Sequence, residues 1–574
     1  DHRDLHSFPT RRSSDLAIKP LPRRKLYDKV PLLDCFTAPC KGGCPIHQDI
    51  PEYIELCRKG AYASALRLIT EKNPLPFITG TICAHNCMTK CMRNYYDEPV
   101  NIRATKLVAA EKGYDAYMSK ITPPAPVTDG RKVAVIGGGP TGMSAAYFVG
   151  RAGIPVTLFE KADRLGGIVR QVIPAFRISD EAIDKDVALI EKMGVEVKLN
   201  TEAPSVAELK AQGYTHIFFA VGAWKAGRLD IPGNVVPVIG WLRDMKAGKD
   251  VSLGHVAVVG GGNTAMDAAR AALRAGAKSS TLVYRRTKKY MPADAEELEM
   301  AIADGVEFLE LVAPVEQKDG KLICEKMKLG DPDDKGRRKP VPTGEMVEIP
   351  CDTVVSAVGE KVESEVFTRN GITVDEKGIP AFKTNLEGVY AGGDAMRGPA
   401  TVVEGIADAQ YFANAVIGEA HKFAIPAKAV ATREEAVAKK GVLCESAKCE
   451  GDRCLTCNVV CQVCADVCPN RANVVIELPD GRQQILHVDR MCNECGNCAV
   501  FCPYDSAPYR EKFTLFLTRE GFDESVNNQG FLPLGGKKVL VRLDSKVFEA
   551  DLDAKNDLPA DIEEIGRASC RERV

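Results

Sequence analysis

The chain has 574 residues, of which 45% are hydrophobic and 27% are charged, and its formal net charge is −2 at pH 7. This is the composition of an ordinary globular protein with more than one domain. The charge balance suggests neither a nucleic acid nor an anionic membrane surface as a partner. No apolar run of about eighteen residues and no leader sequence occurs, so we expect no membrane span and a soluble, cytoplasmic protein.

Both ends of the chain are predicted to be foreign to the protein. Codons for Glu564–Val574 can be chosen so that their reverse complement encodes His6–Leu16, residue for residue. A sequencing adapter translated at both ends of an assembled contig would produce this relation, so residues 1–16 and 564–574 are interpreted as adapter-derived. The native region is then Ala17–Glu563, and we expect a larger parent protein.

The 21 cysteines are concentrated in two islands, one from Cys35 to Cys91 and one from Cys444 to Cys502. In a secreted protein such islands would indicate disulfides. In a chain of this length with nucleotide-binding motifs between them, they indicate a reducing compartment and metal ligation.

The first nucleotide-binding motif follows a short strand at Lys132–Ile136. Gly137, Gly139 and Gly142 form a GxGxxG sequence that opens a helix of small residues, and a second strand ends on Glu160. In this context the glycines let the backbone approach a pyrophosphate, and the acidic side chain accepts a hydrogen bond from a ribose hydroxyl. The segment predicts a dinucleotide-binding fold.

A second motif repeats this design after the strand His255–Gly260. Its fingerprint positions are Gly260, Gly262, Asn263 and Ala265. The next strand ends on Arg285 and Arg286 instead of a carboxylate, and these cations suit a 2′-phosphate. NADPH is therefore expected in preference to NADH, with a solvated basic turn as the alternative.

The sequence GVYAGGD at Gly388–Asp394 resembles the second FAD motif of two-dinucleotide-domain flavoprotein reductases. The resemblance implies that Gly393 and Asp394 contact the ribityl–phosphate region and that the helix after Thr401 points towards the flavin ring. Because this segment and the first fold bracket the second fold, the outer domain is expected to bind FAD and the inserted one NADPH.

Three further segments resemble regions of the same flavoproteins. Ile217–Ala223, which contains Gly222, resembles the strand by which the chain re-enters the FAD domain. Gly166, Gly167 and Arg177 resemble flavin-side segments of the glutamate synthase small subunit. Relatives that reduce disulfides carry a close cysteine pair beside the flavin, whereas Cys324 and Cys351 are far apart and are predicted to be buried structural thiols. Hydride moves directly between nicotinamide and flavin, so no general acid or base is expected.

The second cysteine island matches the bacterial ferredoxin pattern, with one extra residue in its first gap. The predicted ligand sets are Cys457, Cys461, Cys464 and Cys502 for one [4Fe–4S] cluster, and Cys492, Cys495, Cys498 and Cys468 for the other. Cys454 could replace Cys457, or could serve a third cluster with Cys444 and Cys449. Zinc is the competing interpretation of the CxxC pairs.

The first island resembles the N-terminal helical domain shared by the glutamate synthase small subunit and dihydropyrimidine dehydrogenase, which carries two [4Fe–4S] clusters. The resemblance assigns Cys35, Cys40 and Cys91 to one cluster and Cys44, Cys83 and Cys87 to the other. Leu32 and Lys106 stand where the family has the remaining ligands, so each set has three thiolates. Cys57 is predicted to be a core residue.

The complete order of segments resembles the selenate reductase subunit family. This implies an α/β multidomain oxidoreductase that passes electrons from NADPH through FAD to two to four [4Fe–4S] clusters and on to a partner reductase or hydroxylase subunit. Reverse flow to NADP+, a glutamate synthase small subunit, and a cluster-holding assembly or sensor subunit are the alternatives. The expected segments are a helical Fe–S domain (17–120), an N-terminal segment of the FAD domain (132–240), an inserted NADPH domain (250–350), a C-terminal segment of the FAD domain (351–420), a ferredoxin-like domain (444–510) and a β-rich tail (511–563).

Overall fold

A computed structural model describes residues 25–569 except 34–35, 252, 333–337, 419–429, 444–449, 479–482 and 526–527. Cys35, Cys444 and Cys449 therefore lie outside the described residues, as does most of the predicted adapter sequence. The chain forms two compact units. The nucleotide unit comprises Leu66–Ala84 and Lys106–Ile425, and the cysteine unit comprises Pro22–Ala65, His85–Thr105 and Pro426–Val574.

The N-terminal region of the chain is helical, as its resemblance to the N-terminal helical domain of the glutamate synthase small subunit implies. Its helices are α1 (Pro39–Gly42), α2 (Ile50–Arg58), α3 (Tyr62–Thr70), α4 (Pro76–Ile82), α5 (Asn86–Thr89) and α6 (Ile102–Met118). The predicted domain 17–120 is shared between the units, because α4 and most of α6 pack in the nucleotide unit. Both amides at the start of α4, those of Phe77 and Ile78, donate to the buried carboxylate of Asp186 at 3.1 and 2.8 Å.

The middle of the chain alternates strands and helices. The strands are β1 (Val133–Ile136), β2 (Val156–Phe159), β3 (Glu196–Lys198), β4 (His216–Phe219), β5 (Lys225–Ala226), β6 (Val235–Pro237), β7 (His255–Val259), β8 (Ser279–Tyr284), β9 (Glu307–Glu310), β10 (Val312–Lys318), β11 (Lys321–Pro332), β12 (Arg338–Pro350), β13 (Thr353–Ser356), β14 (Glu360–Lys361) and β15 (Val389–Ala391). The helices are α7 (Pro140–Arg151), α8 (Gly167–Gln171), α9 (Asp180–Glu191), α10 (Val206–Ala211), α11 (Val238–Lys246), α12 (Asn263–Arg274), α13 (Ala295–Ala303), α14 (Glu365–Thr368), α15 (Asp394–Arg397) and α16 (Val402–Ile417).

The first sheet has the order β15-β4-β1-β2-β3, and all its strands are parallel. Strand β1 is buried along its whole length, as expected of a central parallel strand with both faces covered. Phe218 of β4 stacks on Phe412 of α16 with ring centroids 4.4 Å apart. The last strand, β15, thus returns the chain to the sheet that contains the first glycine motif.

The second sheet is also parallel and has the order β6-β13-β7-β8-β9. Its strands β6 and β13 lie outside the segment 250–350 that the sequence assigns to this domain, so the sheet begins at Val235 and ends at Ser356. Both strands are only a few residues long, and their hydrogen bonds to the rest of this sheet determine to which domain they belong. Strands β10, β11 and β12 form a separate antiparallel sheet.

In the cysteine unit, the ferredoxin-like region and the β-rich tail share one sheet. Its strands are β16 (Asn473–Glu477), β17 (Gln483–Val488), β18 (Thr514–Leu515), β19 (Gly530–Gly535), β20 (Lys538–Leu543) and β21 (Lys546–Asp551), hydrogen-bonded in sequence order. The helices are α17 (Arg433–Ala438), α18 (Glu450–Arg453), α19 (Val463–Asp466), α20 (Asn497–Phe501), α21 (Pro508–Glu511), α22 (Arg519–Glu524) and α23 (Ala560–Ser569). Helix α23, which runs into the predicted adapter sequence, buries Ile562 and Ile565 against this sheet.

No helix in the described ranges combines the length and the apolar character that crossing a membrane requires.

Candidate functional site

The first glycine motif forms a turn in which side chains have no room. Gly137 follows β1 with φ of +106°, and a Cβ on it would meet the carbonyl oxygen of Ala220 after β4. A Cβ on Gly142 would overlap the carbonyl oxygen of Gly137. The third glycine therefore lets α7 pack against its own strand, which is the role this position has in dinucleotide-binding folds.

Glu160 at the end of β2 braces this turn. Its Oε2 accepts a hydrogen bond from the N–H of Gly138 at 2.6 Å, and its Oε1 accepts one from the N–H of Ala162 at 2.7 Å. Only 7% of Glu160 is exposed. Each carboxylate oxygen retains acceptor capacity for a ribose hydroxyl, so the predicted contact fits this geometry. Gly138, which occupies an unspecified position of the GxGxxG pattern, is a structural partner that the motif alone did not identify.

Gly166 and Gly167 bring a second backbone segment to the same turn. Both have positive φ, and a Cβ on Gly167 would lie 2.8 Å from the Cα of Gly139 at the start of α7. Two glycine backbones thus face each other without side chains between them. This opening fits a dinucleotide pyrophosphate, which binds where backbone amides are accessible at a helix N-terminus.

The GGD segment is the third backbone segment that lies against the start of α7. Gly393 has φ of +65°, and a Cβ there would clash with the hydroxyl of Thr141 in α7. Burial raises the pKa of Asp394 to about 6, although the N–H of Ala400 donates to its Oδ1 at 3.1 Å. Thr401 is the N-cap residue of α16 and forms a capping box with Glu404. Oε2 of Glu404 accepts from the N–H of Thr401 at 3.0 Å and from its Oγ1 at 2.6 Å.

Asp408 supports the GGD segment and was not found from the sequence. Its Oδ2 accepts from the N–H of Gly393 at 2.9 Å, and Arg397 donates to both of its oxygens at 2.7 and 2.5 Å. Asp408 is 1% exposed. An acidic residue in mid-helix carries no local pattern of this kind, so only the tertiary structure shows it.

Arg177 was predicted on the flavin side, and the structure commits its guanidinium to carboxylates of the second fold. Nη1 donates to Oδ1 of Asp267 in α12 at 2.7 Å, and Nη2 donates to Oε1 of Glu297 in α13 at 2.6 Å. Burial raises the pKa of Asp267 to about 6, while the charge of Arg177 opposes that rise. Gly222, which the sequence places at the re-entry strand of the FAD domain, follows β4 with φ of +75°.

The second fold repeats the turn between β7 and α12. A Cβ on Gly260 would meet the carbonyl oxygen of Ala357 after β13, whereas Gly262 at the N-cap of α12 has open space around it. Ala265 is fully buried at the position of the third glycine. The side chain of Asn263 accepts from the N–H of Asp294 at 3.0 Å and thereby fixes the loop beside the motif.

The two arginines after β8 lie at the surface. Arg285 is exposed, and Arg286 is half-buried with its Nε donating to the carbonyl oxygen of Arg338 at 3.2 Å. Neither forms an ion pair with another residue that the structure describes, whereas Arg270 and Arg274 of the same fold both do. The two charges therefore stay available at the strand end where a ribose 2′-phosphate is recognised in such folds.

Cys324 and Cys351 are both fully buried in one apolar cluster, as predicted. Burial raises the pKa of Cys324 to about 12 and that of Cys351 to about 11. Thiols held in this state are poor nucleophiles.

In the second cysteine island the structure brings Cys492, Cys498 and Cys468 together. Burial raises the pKa of the Cys492 thiol, and the charges of the other two raise it further. The N–H of Glu494 donates to Sγ of Cys492 at 3.3 Å, and the N–H of Ala472 donates to Sγ of Cys468 at 3.1 Å. Backbone donors to sulfur stabilise cluster-bound thiolates, so this group fits the predicted cluster. Cys495 is exposed nearby in sequence.

The other predicted ligand set takes cysteines from both halves of the second island. Cys464 belongs to α19, which packs with α20, and Cys502 caps the end of α20. Cys457 and Cys461 are neighbours, since the charge of Cys461 adds to the effect of burial in raising the pKa of Cys457.

In the first island, Cys40, Cys44 and Cys87 lie close enough to the buried Tyr53 to influence its phenol electrostatically. Burial raises the pKa of this phenol, and the charges of Cys87, Cys44, Cys40 and Cys57 raise it further. Cys57, predicted to be core, is half-buried beside them. Cys83 follows α4 in the nucleotide unit, and there Lys106 is buried close to Asp186.

No three His, Cys, Asp or Glu side chains in the described ranges converge closely enough for a single metal ion. A [4Fe–4S] cluster binds its cysteines through four separate irons.

Two glycine-motif folds, one inserted in the other, and a cysteine unit define the class of FAD- and NADPH-binding flavoproteins with iron–sulfur domains. Residues 131–409 match the pyridine nucleotide-disulphide oxidoreductase family, and residues 31–116 match dihydropyrimidine dehydrogenase domain II, which carries a 4Fe–4S cluster.

Three curated relatives are similar over long stretches. "Putative oxidoreductase YgfK" of Escherichia coli is 41% identical over 96% of this chain and 56% of its own length. The "NADP(+)-dependent formate dehydrogenase subunit beta" of Moorella thermoacetica is 36% identical over 65% of this chain and 58% of its own length. The "Glutamate synthase [NADPH] small chain" of Halomonas elongata is 32% identical over 65% of this chain and 86% of its own length.

The chain therefore belongs to the family of the glutamate synthase small chain, whose members are FAD- and NADPH-dependent oxidoreductases with an iron–sulfur domain. It spans 56% of the length of the E. coli relative.

Proposed function

We propose that the chain takes electrons from NADPH at its FAD and passes them through [4Fe–4S] clusters to a partner subunit. The observation that carries this proposal is the group of Cys468, Cys492 and Cys498, two of which accept backbone N–H···S hydrogen bonds. The same chain contains two complete dinucleotide folds. A hydride site and a set of cluster ligands on one chain are the components that an electron-transferring subunit needs.

The residues of the chain supply binding and orientation. Gly138 and Glu160 fix the turn that would hold the FAD pyrophosphate and ribose, and Arg285 with Arg286 would select NADPH by its 2′-phosphate. Bound FAD accepts hydride from NADPH and supplies electrons to one-electron carriers such as iron–sulfur clusters. Cys464, Cys498 and Cys502 are buried and would shield their part of the clusters from water, whereas Cys495 is exposed.

We infer that the partner is a reductase subunit of the selenate reductase type. The relative from M. thermoacetica is named as a beta subunit, which supports assembly with a second chain. The same name contains NADP(+), so reverse flow, in which a low-potential donor reduces the clusters and NADP+ is the acceptor, is the second candidate. The reduction potentials of the flavin and the clusters decide between the two directions.

Anaerobic titration with NADPH tests the first direction. We expect the flavin absorbance to bleach and an EPR signal of reduced clusters to follow. A Cys498→Ser variant should bleach equally but lose the signal of one cluster. Bleaching without any cluster signal in protein of full iron content would contradict the proposal for this direction, and rapid NADP+ reduction by a low-potential donor would then support the reverse one.

The partner is tested with the full-length parent protein. Affinity purification should recover a reductase subunit, and addition of selenate to the complex should accelerate NADPH oxidation. Recovery of a large amidotransferase subunit would instead assign the chain to glutamate synthase.

A further inference from the structure

We propose that Cys454 is a ligand of the iron–sulfur cluster to which Cys40 and Cys91 belong. The inference rests on the proposed iron–sulfur function and adds a residue to that site. It joins the two cysteine islands, which the sequence patterns treat as separate sets.

The segment before Cys454 is anchored to the N-terminal region of the cysteine unit. Oε2 of Glu450 accepts from the N–H of Asn101 at 2.9 Å. A Cβ on Gly451 would lie 2.6 Å from the Cβ of Arg58, so α18 lies directly against α2. A glycine at this position permits the close approach.

One carboxylate aligns the chain segments that carry Cys91 and Cys454. Asp97 accepts from Nε of Arg93 at 2.7 Å and from Nη2 of Arg453 at 3.2 Å. Arg93 lies two positions after Cys91, and Arg453 lies directly before Cys454. Nη2 of Arg453 also donates to the carbonyl oxygen of Glu98 at 2.7 Å. A network that is mostly buried therefore connects the segment that carries Cys91 with the segment that carries Cys454.

The thiols themselves have little contact with water. Cys454 is buried, and Cys40 and Cys91 are half-buried. Thiolates without a partner are unfavourable in such surroundings, and binding a cluster would compensate their charge.

Leu32 explains why a ligand is needed from elsewhere. It stands where the resembled family has a cysteine of this cluster, and its side chain packs against the apolar core of the β16–β21 sheet. Its carbonyl oxygen accepts from Nζ of the buried Lys512 at 3.3 Å. The position is thus used for packing, and Cys454 supplies a thiol to the cluster of Cys40 and Cys91 in its place.

The assignment has a consequence for electron transfer. Only Leu455 and Thr456 separate Cys454 from Cys457, which is predicted to bind a cluster of the ferredoxin pair. A short stretch of backbone would then connect the ligands of two clusters within the cysteine unit.

Iron counting on single and double variants of the holoprotein tests the inference. We expect Cys40→Ser, Cys454→Ser and the double variant each to lose the same one cluster, about four iron atoms per chain. Cys454→Ser combined with Cys464→Ser should lose two clusters, about eight iron atoms. Cys57→Ser, a half-buried cysteine of α2, is the control and should retain all the iron.

Two outcomes overturn the inference. Cys454→Ser with full iron content shows that Cys454 is no ligand, and equal losses for Cys454→Ser, Cys464→Ser and their double variant place it on the ferredoxin cluster. Wild-type protein without iron would instead refute the proposed function.

Unmodified protein provides a second test that does not depend on the folding of variants. During slow removal of iron by a chelator, alkylation should label Cys40, Cys91 and Cys454 at one common rate. Labelling of Cys454 before iron is lost, or in step with Cys464 only, contradicts the assignment.

Discussion

The guanidinium of Arg177 donates to the carboxylate of Asp267 at 2.7 Å and also pairs with Glu297. Asp267 is 7% exposed and Glu297 is 5% exposed. The two carboxylates carry like charges, and because both are buried, water does not screen their repulsion. The arginine between them offsets it. This relationship connects the segment after α8 with α12 and α13.

Replacing Arg177 by Gln should therefore destabilise the nucleotide unit. Removing one partner of a buried ion pair costs about 3–5 kcal/mol, and we expect a clear fall in the melting temperature followed by circular dichroism. Arg164→Gln is the matched control, because Arg164 forms exposed ion pairs with Asp180 and Asp184 that contribute at most about 1 kcal/mol. Burial raises the pKa of Asp267 to about 6 although the charge of Arg177 lowers it, so the pKa of Asp267 should be higher still in Arg177→Gln. The stability deficit of the variant should therefore narrow as the pH falls towards 6. Equal melting temperatures for the two variants would contradict the structural role of Arg177.

Gly142→Ala should abolish stable FAD binding, because the added Cβ would overlap the carbonyl oxygen of Gly137 and push α7 away from β1. Flavin content after gel filtration measures the effect. Gly240→Ala is the control in α11, where nothing lies within 4 Å of the added Cβ. There we expect normal flavin content and a gain of about 0.5–1 kcal/mol from the helical propensity of alanine. Retention of FAD by Gly142→Ala would place the pyrophosphate elsewhere.

The double variant Arg285→Ala, Arg286→Ala should raise the KM for NADPH by about ten- to a hundredfold, the effect of losing one or two charge-assisted hydrogen bonds to a phosphate. The KM for NADH should change little, since NADH lacks that phosphate. Lys278→Ala removes an exposed cation at the opposite end of β8 and serves as the control. Equal changes in the KM for NADPH and the KM for NADH would show that the arginines do not cause the preference for NADPH.

His487 should make the cysteine unit sensitive to acid. Burial lowers the pKa of His487 to about 4, and the ring hydrogen-bonds to Oδ1 of Asn473 at 2.9 Å. Because the folded pKa lies below the unfolded value of about 6.5, the stabilisation is present above pH 6.5 and is lost as the pH falls towards 4. The loss is about 3 kcal/mol at its full extent.

A His487→Gln variant should lack this component of the pH dependence. Unfolding measured by circular dichroism for both proteins between about pH 7.5 and 4.5 should show the variant losing less stability than the wild type. Parallel curves would mean that His487 does not titrate with unfolding in this range.

Local patterns carry the features of the protein that the sequence determined by itself. The turn from β1 into α7 needs glycines at fixed spacing, so it is visible in a short stretch, and the close cysteine spacing of the second island predicts ferredoxin-like clusters in the same local way. Glu160 was predicted as a ribose contact for the same reason, because a strand end at a set distance from the glycines places it there.

Tertiary structure alone decided which distant residues became partners. Strands β6 and β13 are too short to reveal their sheet, and Asp408 reaches Gly393 only because α16 packs beside the GGD turn. The same holds for Arg177, whose charge could pair with any nearby carboxylate until the fold brought Asp267 to it. The segment of Cys454 belongs to this group as well: the spacing of Cys454 fits the second island, while Asp97 pairs with both Arg93 and Arg453 and connects this segment with that of Cys91. Spacing determines what is near in the chain, and the burial of apolar faces determines what is near in space.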